Sequence, residues 1–138
     1  MFQRDLFHQA VVVALEKEDW TVTHDPYFLE YGAQTLQVDL GAEMPVAAER
    51  NGRKIALEIK SFAGKTQMSE LYGALGQFVL YRNVLRKQEP ERKLYLAVPE
   101  EAYLVLFDPA HGRDLRDEEA IALLIYSAEE EVIVTWIE

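Results

Sequence analysis

The sequence predicts an α/β (α+β) fold, a mixed β-sheet with helices packed against it. The first observation is Asn51-Gly52, which separates two apolar runs at 44–48 and 55–59. Asn-Gly supplies the positive φ angles of a type I′ turn, so this pattern is the strongest short-range signal of a β-hairpin. The second observation is a helix-spaced segment after the hairpin, and the third is a short apolar strand at 93–98 that Pro99 ends.

The other elements follow from apolar periodicity and from residues that stop helices and strands. Gly32 and Gly64 interrupt extended segments, and Thr66 or Ser69 can cap the helix after the hairpin. In chain order we predict a helix at 6–17, extended segments at 20–23, 27–31 and 35–40, the hairpin, a helix to about residue 87, the strand at 93–98, helical turns at 100–107 and 113–119, and a last hairpin of 120–126 with 131–137. The order is an α–β–β–β–α–β core followed by a short αββ extension.

The composition is that of an ordinary globular domain. A chain of 138 residues with 49% hydrophobic and 28% charged residues can bury one core, so we expect one domain over 1–138. The chain has no cysteine, which excludes disulfides, zinc–thiolate sites and cysteine nucleophiles. No apolar run approaches the ~20 residues that span a membrane, and residues 1–9 do not resemble a signal peptide. We therefore expect a cytoplasmic protein with no membrane association.

The charge is distributed unevenly along the chain. The net charge is −10, which on its own argues against nucleic-acid binding. The segment 50–93, however, holds ten of the 14 basic residues and only four acidic ones. A basic middle between acidic ends is compatible with a surface that faces phosphate, and equally with an acidic face for a protein partner.

Glu58 and Lys60 are the two charges that need an explanation. Side chains alternate along a strand, so Ile55, Leu57 and Ile59 take one face and the two charged residues take the other. The simple explanation is the solvated face of an amphipathic hairpin. The alternative is a metal site, because a carboxylate oxygen binds a hard divalent cation and a lysine two residues on can orient or polarise the attacking water.

The context of this Glu-x-Lys tripeptide matters more than the tripeptide itself. It occurs twice, at 58–60 inside the predicted strand and at 91–93, which we predict to be a charged loop after Pro90. Only the first copy has upstream acids, Asp39 and Glu43, in register on its face, with Glu43 directly opposite Lys60. No glycine-rich phosphate loop, nucleophile elbow or metal-type histidine spacing competes with it.

The helix after the hairpin adds two candidate residues and one buried charge. Gln77 and Tyr81 are four residues apart on the flank of its apolar face, either beside the predicted site or at an edge that faces solvent. Arg82 falls near the centre of the apolar face, where a guanidinium needs an acidic partner. We interpret Arg82 as one half of a structural ion pair.

These residues together resemble a known nuclease core. An acidic residue on one strand, Glu-x-Lys on the next, then a helix and a strand are similar to the restriction-endonuclease-like αβββαβ core of the PD-(D/E)xK nuclease-like superfamily. The resemblance implies that Asp39 and Glu58 are metal-binding acids, that Lys60 is the catalytic lysine, and that the carbonyl of Ile59 is a further ligand of Mg²⁺ or Mn²⁺. Glu43 competes with Asp39 for the role of first acid.

Two further resemblances narrow the family. The pentapeptide QFVLY at 77–81 is similar to the Gln-x-x-x-Tyr motif of the RecB-type branch, which lies on the helix after the Glu-x-Lys strand. More closely, the chain resembles the XisH family, the cyanobacterial fdxN-element excision controlling factors. The stretches that carry this second resemblance span most of residues 5–100 and are DLFHQAV, EDWTVTHDP, DLGAE, AAERNGRKIALEIKSF, ALGQFVLYR and PERKLYLAVPE. It implies control of site-specific DNA excision with a XisI-type partner and a separate recombinase, and a homo-oligomer stays open.

Two functions are compatible with these observations. As an enzyme, the protein would hydrolyse phosphodiesters with Mg²⁺ held by Asp39 and Glu58, assisted by Lys60, while Gln77 and Tyr81 contact the substrate or support the site. As a non-catalytic factor, it would use the same fold to bind DNA or a partner protein and regulate recombination. The fold alone does not choose between them. We expect action on DNA with a partner rather than as a free-standing nuclease.

Overall fold

The structure, a computed structural model, describes residues 3–35, 46–63 and 66–138, except for the side chains of 3–5, 34 and 35. Its elements are α1 (Gln3–Lys17), β1 (Thr21–His24), β2 (Glu30–Tyr31), β3 (Gln34–Thr35), β4 (Val46–Arg50), β5 (Arg53–Ile59), α2 (Gln67–Gln88), β6 (Arg92–Pro99), α3 (Glu100–Leu106), α4 (Ala110–Glu118), β7 (Leu123–Ser127) and β8 (Val132–Ile137). They form a mixed α/β fold, as the sequence predicts. None of the described helices is long and apolar enough to cross a membrane.

Six strands form one mixed sheet in the order β1-β4-β5-β6-β7-β8. β4 is antiparallel to both β1 and β5, β6 lies parallel to β5, β7 lies parallel to β6, and β8 is antiparallel to β7. Helix α2 connects β5 to β6, because a parallel pair needs a crossover connection. Apart from β2 and β3, which form a separate sheet, the succession α1-β1-β4-β5-α2-β6 is the expected αβββαβ order, and the β7–β8 hairpin extends the six-stranded sheet. This arrangement is consistent with an α+β nuclease-like fold.

The hairpin of β4 and β5 has the predicted register. Glu49 pairs with Lys54, and the two arginines beside the turn pair with each other. Asn51 and Gly52 have φ angles of 50° and 80°, as a type I′ turn requires. The expected pairing of Glu43 with Lys60 lies outside the described residues. Within the described residues, the segments predicted at 27–31 and 35–40 contribute only the short β2–β3 pair, which forms a separate two-stranded sheet.

The sheet has an apolar core on each face. On one face Ile55, Leu57 and Ile59 of β5 pack in the same cluster as α1. On the other face Ala56 packs in a cluster with α2 and α3. Because neighbouring side chains on a strand point to opposite faces, Glu58 turns to the α2 face. The alternation predicted for β5 is therefore observed.

Two predictions about charged residues are wrong. Arg82 forms no ion pair within the described part of the chain; instead its Nη1 donates to the backbone carbonyls of Glu119 and Ala120, at 2.8 and 3.0 Å. These carbonyls lie at the carboxyl end of α4, where a helix carries partial negative charge, so they can take the place of a carboxylate. Arg92, which the sequence suggested lies in a charged loop, opens β6 and is only 5% exposed.

Candidate functional site

Glu58 lies where the parallel strands approach their carboxyl ends. It is the last residue but one of β5 and pairs with Leu96 of β6. Its side chain is 1% exposed, so the interpretation of Glu58 as a solvated surface charge is wrong. Burying a carboxylate is unfavourable unless its surroundings compensate, and α/β sheets place ligands outside the carboxyl ends of their parallel strands. Both facts make this edge of the sheet the candidate site.

Tyr81 and Gln77 lie on the inward side of α2. Tyr81 is buried in the core on that face. Burial, and secondly the negative charge of Glu58, raise the pKa of Tyr81 to about 12, so the phenol lies within electrostatic reach of the Glu58 carboxylate. Gln77 is half-buried, and its Oε1 is buried with no hydrogen-bond partner among the described residues. The alternative of a solvent-facing helix edge does not describe these two residues.

Lys60 continues the backbone of β5 one residue beyond the strand. Its N–H donates to the carbonyl of Ala97 in β6 at 3.1 Å, and its carbonyl accepts a hydrogen bond from the Tyr126 hydroxyl at 3.3 Å. The ladder is thus maintained past the end of β5. The alternation of the strand then places the half-buried Lys60 side chain on the same face as Glu58. The backbone carbonyl of Ile59 lies between the two residues in the chain.

The described part of the site offers oxygen donors for a cation. The Glu58 carboxylate and the Ile59 carbonyl are the kinds of ligand that hard divalent cations prefer, so their chemistry fits Mg²⁺ or Mn²⁺. Asp39 and Glu43 lie outside the described residues, and the choice between them stays a prediction. Within 3–35, 46–63 and 66–138, no group of three or more histidine, cysteine, aspartate or glutamate residues is arranged to hold a metal ion.

Glu70 is a further candidate that the sequence reasoning missed. It lies in the first turn of α2, is half-buried, and has one carboxylate oxygen, Oε2, fully buried. At 100° per residue, positions 70, 77 and 81 fall on the same side of a helix, so Glu70 shares the inward side with Gln77 and Tyr81. This spacing is the signal that could have identified it. A glutamate in a first turn is favoured by the helix dipole in any case, so it does not stand out in the sequence.

The fold and these residues define a class, an α+β nuclease-like sheet with a buried acid near the carboxyl ends of its parallel strands. The family model described as XisH protein matches residues 1–134. The chain therefore belongs to the XisH family, as its sequence predicts.

Two solved structures are similar to this chain over nearly its whole length. An XisH family protein from Nostoc punctiforme PCC 73102 is 44% identical with a TM-score of 0.88, and the match covers 97% of this chain and 100% of that protein. A fdxN element excision controlling factor protein from Anabaena variabilis is 43% identical with a TM-score of 0.89, covering 98% and 100% respectively. No curated protein matches the chain.

Proposed function

We propose that this protein takes part in the control of site-specific DNA excision and carries a divalent-metal site of the PD-(D/E)xK nuclease type at Glu58, Ile59 and Lys60. The excision role is supported by the Anabaena variabilis relative, which is described as a fdxN element excision controlling factor. The metal site is supported above all by one observation: Glu58 is buried near the carboxyl end of β5, within electrostatic reach of Tyr81.

The chemistry of such a site divides among these residues. A bound Mg²⁺ or Mn²⁺ neutralises charge on a phosphodiester and makes water a better nucleophile. Glu58 and the Ile59 carbonyl would hold the ion, with Asp39 or Glu43 as the second acid. Lys60 would donate a hydrogen bond that orients the attacking water. Burial raises the pKa of Tyr81 to about 12, so the phenol keeps its proton at neutral pH and can donate a hydrogen bond.

Gln77 would complete the substrate side of this site. A glutamine amide offers both a donor and an acceptor, and its buried Oε1 lies on the inward side of α2 with Tyr81. We assign Gln77 to contacts with the substrate or with the groups around Glu58. Glu70, on the same side of the helix, is a supporting acid in this proposal.

Action on DNA in this proposal requires a protein partner, of the XisI type or a recombinase. A net charge of −10 repels a phosphate backbone, whereas DNA-binding surfaces are usually strongly positive. The outward side of α2 also exposes three large apolar side chains, with exposures of 47% for Met68, 67% for Tyr72 and 49% for Val79. Apolar and aromatic side chains of this kind are typical of protein interfaces.

The test is a cleavage assay on DNA carrying the excision site, with Mg²⁺ or Mn²⁺, with and without the XisI-type partner. We expect cleavage only with metal and partner, reduced about 100-fold or more in Glu58→Gln and Lys60→Ala. The matched controls are Glu91→Gln and Lys93→Ala, which change the second Glu-x-Lys copy and should leave the rate unchanged. Efficient cleavage by the isolated protein would contradict the need for a partner.

A second function, that of a non-catalytic factor, is favoured by how deeply Glu58 is buried. Only 1% of this residue is exposed, so its carboxylate offers almost no surface to a substrate. A protein that uses this fold solely for binding would show no cleavage under any condition. It would also bind its partner equally well in Glu58→Gln and in wild type, and a pull-down assay measures this directly.

A further inference from the structure

A cleft of about 540 Å³ lies at the other end of the sheet from Glu58. Its walls come from the first residues of β6, the residues before β7, the last turns of α2, and the ends of α4 and β8. It shares no residue with the set Glu58, Lys60, Gln77 and Tyr81. Volumes of ~300–1,000 Å³ are typical of sites for small molecules.

The cleft is rich in arginine although the chain is acidic overall. Five basic and three acidic side chains line it, in a protein whose net charge is −10. Two of the five have carboxylate partners: Arg92 contacts Glu89 at 2.8 Å and Lys93 contacts Glu138 at 3.8 Å. The remaining three are Arg82, Arg86 and Arg116.

None of these three arginines forms an ion pair with a carboxylate of the described chain. Arg82 donates to backbone carbonyls and lies 5.2 Å from the ring centroid of Phe78. The Nε of Arg116 donates to the carbonyl of Phe107 at 3.2 Å. The Arg86 side chain is exposed and has no hydrogen bond or ion pair with any described residue. Guanidinium groups bind phosphate and carboxylate in bidentate geometry, so a group of three is suited to an anion.

The floor of the same cleft is apolar. Phe78, Leu85, Leu94 and Ile121 are buried core residues that also line it. A ligand that fills the cleft therefore meets guanidinium groups and aliphatic surface together. Inorganic phosphate would contact only the guanidinium groups, and a neutral apolar molecule would contact only the aliphatic surface.

We propose that this cleft binds a small organic anion, one phosphate or carboxylate group on an apolar body. The anionic group contacts Arg86 and Arg116, and the apolar body covers the floor beside Phe78. Glu91, Asp117 and Glu138 also line the cleft, and their charges disfavour the repeated phosphates of a nucleic acid. The proposal is independent of any metal chemistry at Glu58.

Calorimetric titration of the purified protein tests whether the anionic group and the apolar body both contribute to binding. The probes are hexyl phosphate, hexanoate, 1-hexanol and inorganic phosphate. We expect hexyl phosphate or hexanoate to bind about tenfold or more tightly than 1-hexanol and inorganic phosphate, because a charge-assisted hydrogen bond and apolar burial each add to affinity. Failure of both organic anions to bind, or binding no tighter than 1-hexanol, would overturn the proposal.

Arginine variants then locate the binding. Arg86→Ala and Arg116→Ala should each weaken binding of the organic anion about tenfold, while Lys17→Ala, which removes an exposed cation at the end of α1 on the other face of the sheet, should not. Arg86 is exposed on the helix surface, so its loss leaves the fold intact, which circular dichroism verifies. Equal affinity in wild type and Arg86→Ala would exclude this cleft. Arg86-dependent binding of a DNA oligonucleotide, without binding of the organic anions, would replace the proposal by a nucleic-acid surface.

Discussion

The two Glu-x-Lys tripeptides bury different charged residues. In the first, at the end of β5, Glu58 is buried with 1% exposure. In the second, at the start of β6, the glutamate and lysine are exposed and the middle residue, Arg92, is buried with 5% exposure. Glu58 and Arg92 are the buried charged residues of the described chain. The position of each residue along its strand and across the sheet, rather than the tripeptide, therefore decides which charge is buried.

The surroundings of the two buried charges differ as well. Arg92 is held at several atoms: Nη2 donates to Glu89 at 2.8 Å, and Nη1 donates to the carbonyls of Ile55 at 2.9 Å and Ala48 at 3.4 Å. These contacts connect β4, β5, β6 and the end of α2. Glu58 instead faces the raised-pKa phenol of Tyr81. We infer that Arg92 serves the fold, and we propose that Glu58 serves function.

The largest expected effect follows from removing Arg92. Arg92→Ala leaves Glu89 and two carbonyls without their guanidinium, and breaking a buried pair in this way lowers the free energy of unfolding by about 3 kcal/mol. Glu91→Ala, an exposed change in the same tripeptide, should stay within about 0.5 kcal/mol of wild type. Urea unfolding followed by circular dichroism measures both. Equal stability of the two variants would contradict a structural role for Arg92.

The pairing register of β5 with β4 depends on the turn between them. Gly52 has a φ angle of 80° and no atom within 4 Å of where a Cβ would lie, so Gly52→Ala tests the backbone conformation alone. We expect a loss of about 1 kcal/mol in unfolding free energy. The control is Gly76→Ala, which has equal space in the middle of α2 and should gain up to about 1 kcal/mol. A neutral Gly52→Ala would show that the turn does not hold the register.

The contact between Arg92 and Glu89 should make the free energy of unfolding depend on pH. The hydrogen bond from Arg92 lowers the pKa of Glu89 below its usual value of 4.5, although burial acts in the opposite direction. A carboxyl group whose pKa is lowered in the folded protein stabilises the fold at pH values above its usual pKa. This stabilisation is lost as the pH falls through the lowered pKa. We expect Glu89→Gln to be less stable than wild type at neutral pH, with the gap closing in acid. Parallel profiles between about pH 2 and 6 would contradict this.

The smallest effect concerns the pKa of Tyr81. Glu58→Gln removes the negative charge that is the second cause of the raised pKa of Tyr81. Burial, the first cause, remains. We therefore expect a modest fall of the pKa from about 12. Ultraviolet titration, with Tyr81→Phe to assign the signal, measures it. The control Glu91→Gln should leave the Tyr81 titration unchanged, and an unchanged value in Glu58→Gln would place the two groups too far apart to share a site.

Much of this fold could be predicted from local signals. Asn51-Gly52 fixed the hairpin register, and the register fixed the face on which Glu58 lies. The helical spacing of Gln77 and Tyr81 placed them on one side of α2. These inferences need only the periods of strand and helix.

Other features depend on contacts between distant segments and could not be predicted. The partners of Arg82 come from the end of α4, 37 and 38 positions along the chain. The burial of Arg92 follows from the parallel pairing of Lys54 with that residue, and no local pattern indicates a parallel neighbour. The arginine cleft is likewise assembled from four separate elements. Sequence periodicity predicts which face of a helix or strand a residue occupies. These sites depend instead on how separate helices and strands pack against each other.

We propose that a metal ion binds at the first tripeptide and not at the second. Crystals soaked in Mn²⁺, with anomalous difference density measured at the manganese edge, test it most directly. We predict a peak bound to the Glu58 carboxylate at the carboxyl end of β5, absent in Glu58→Gln and retained in Glu91→Gln. Saturating Mn²⁺ with no peak at Glu58, or with a peak at Glu91 instead, would contradict the account.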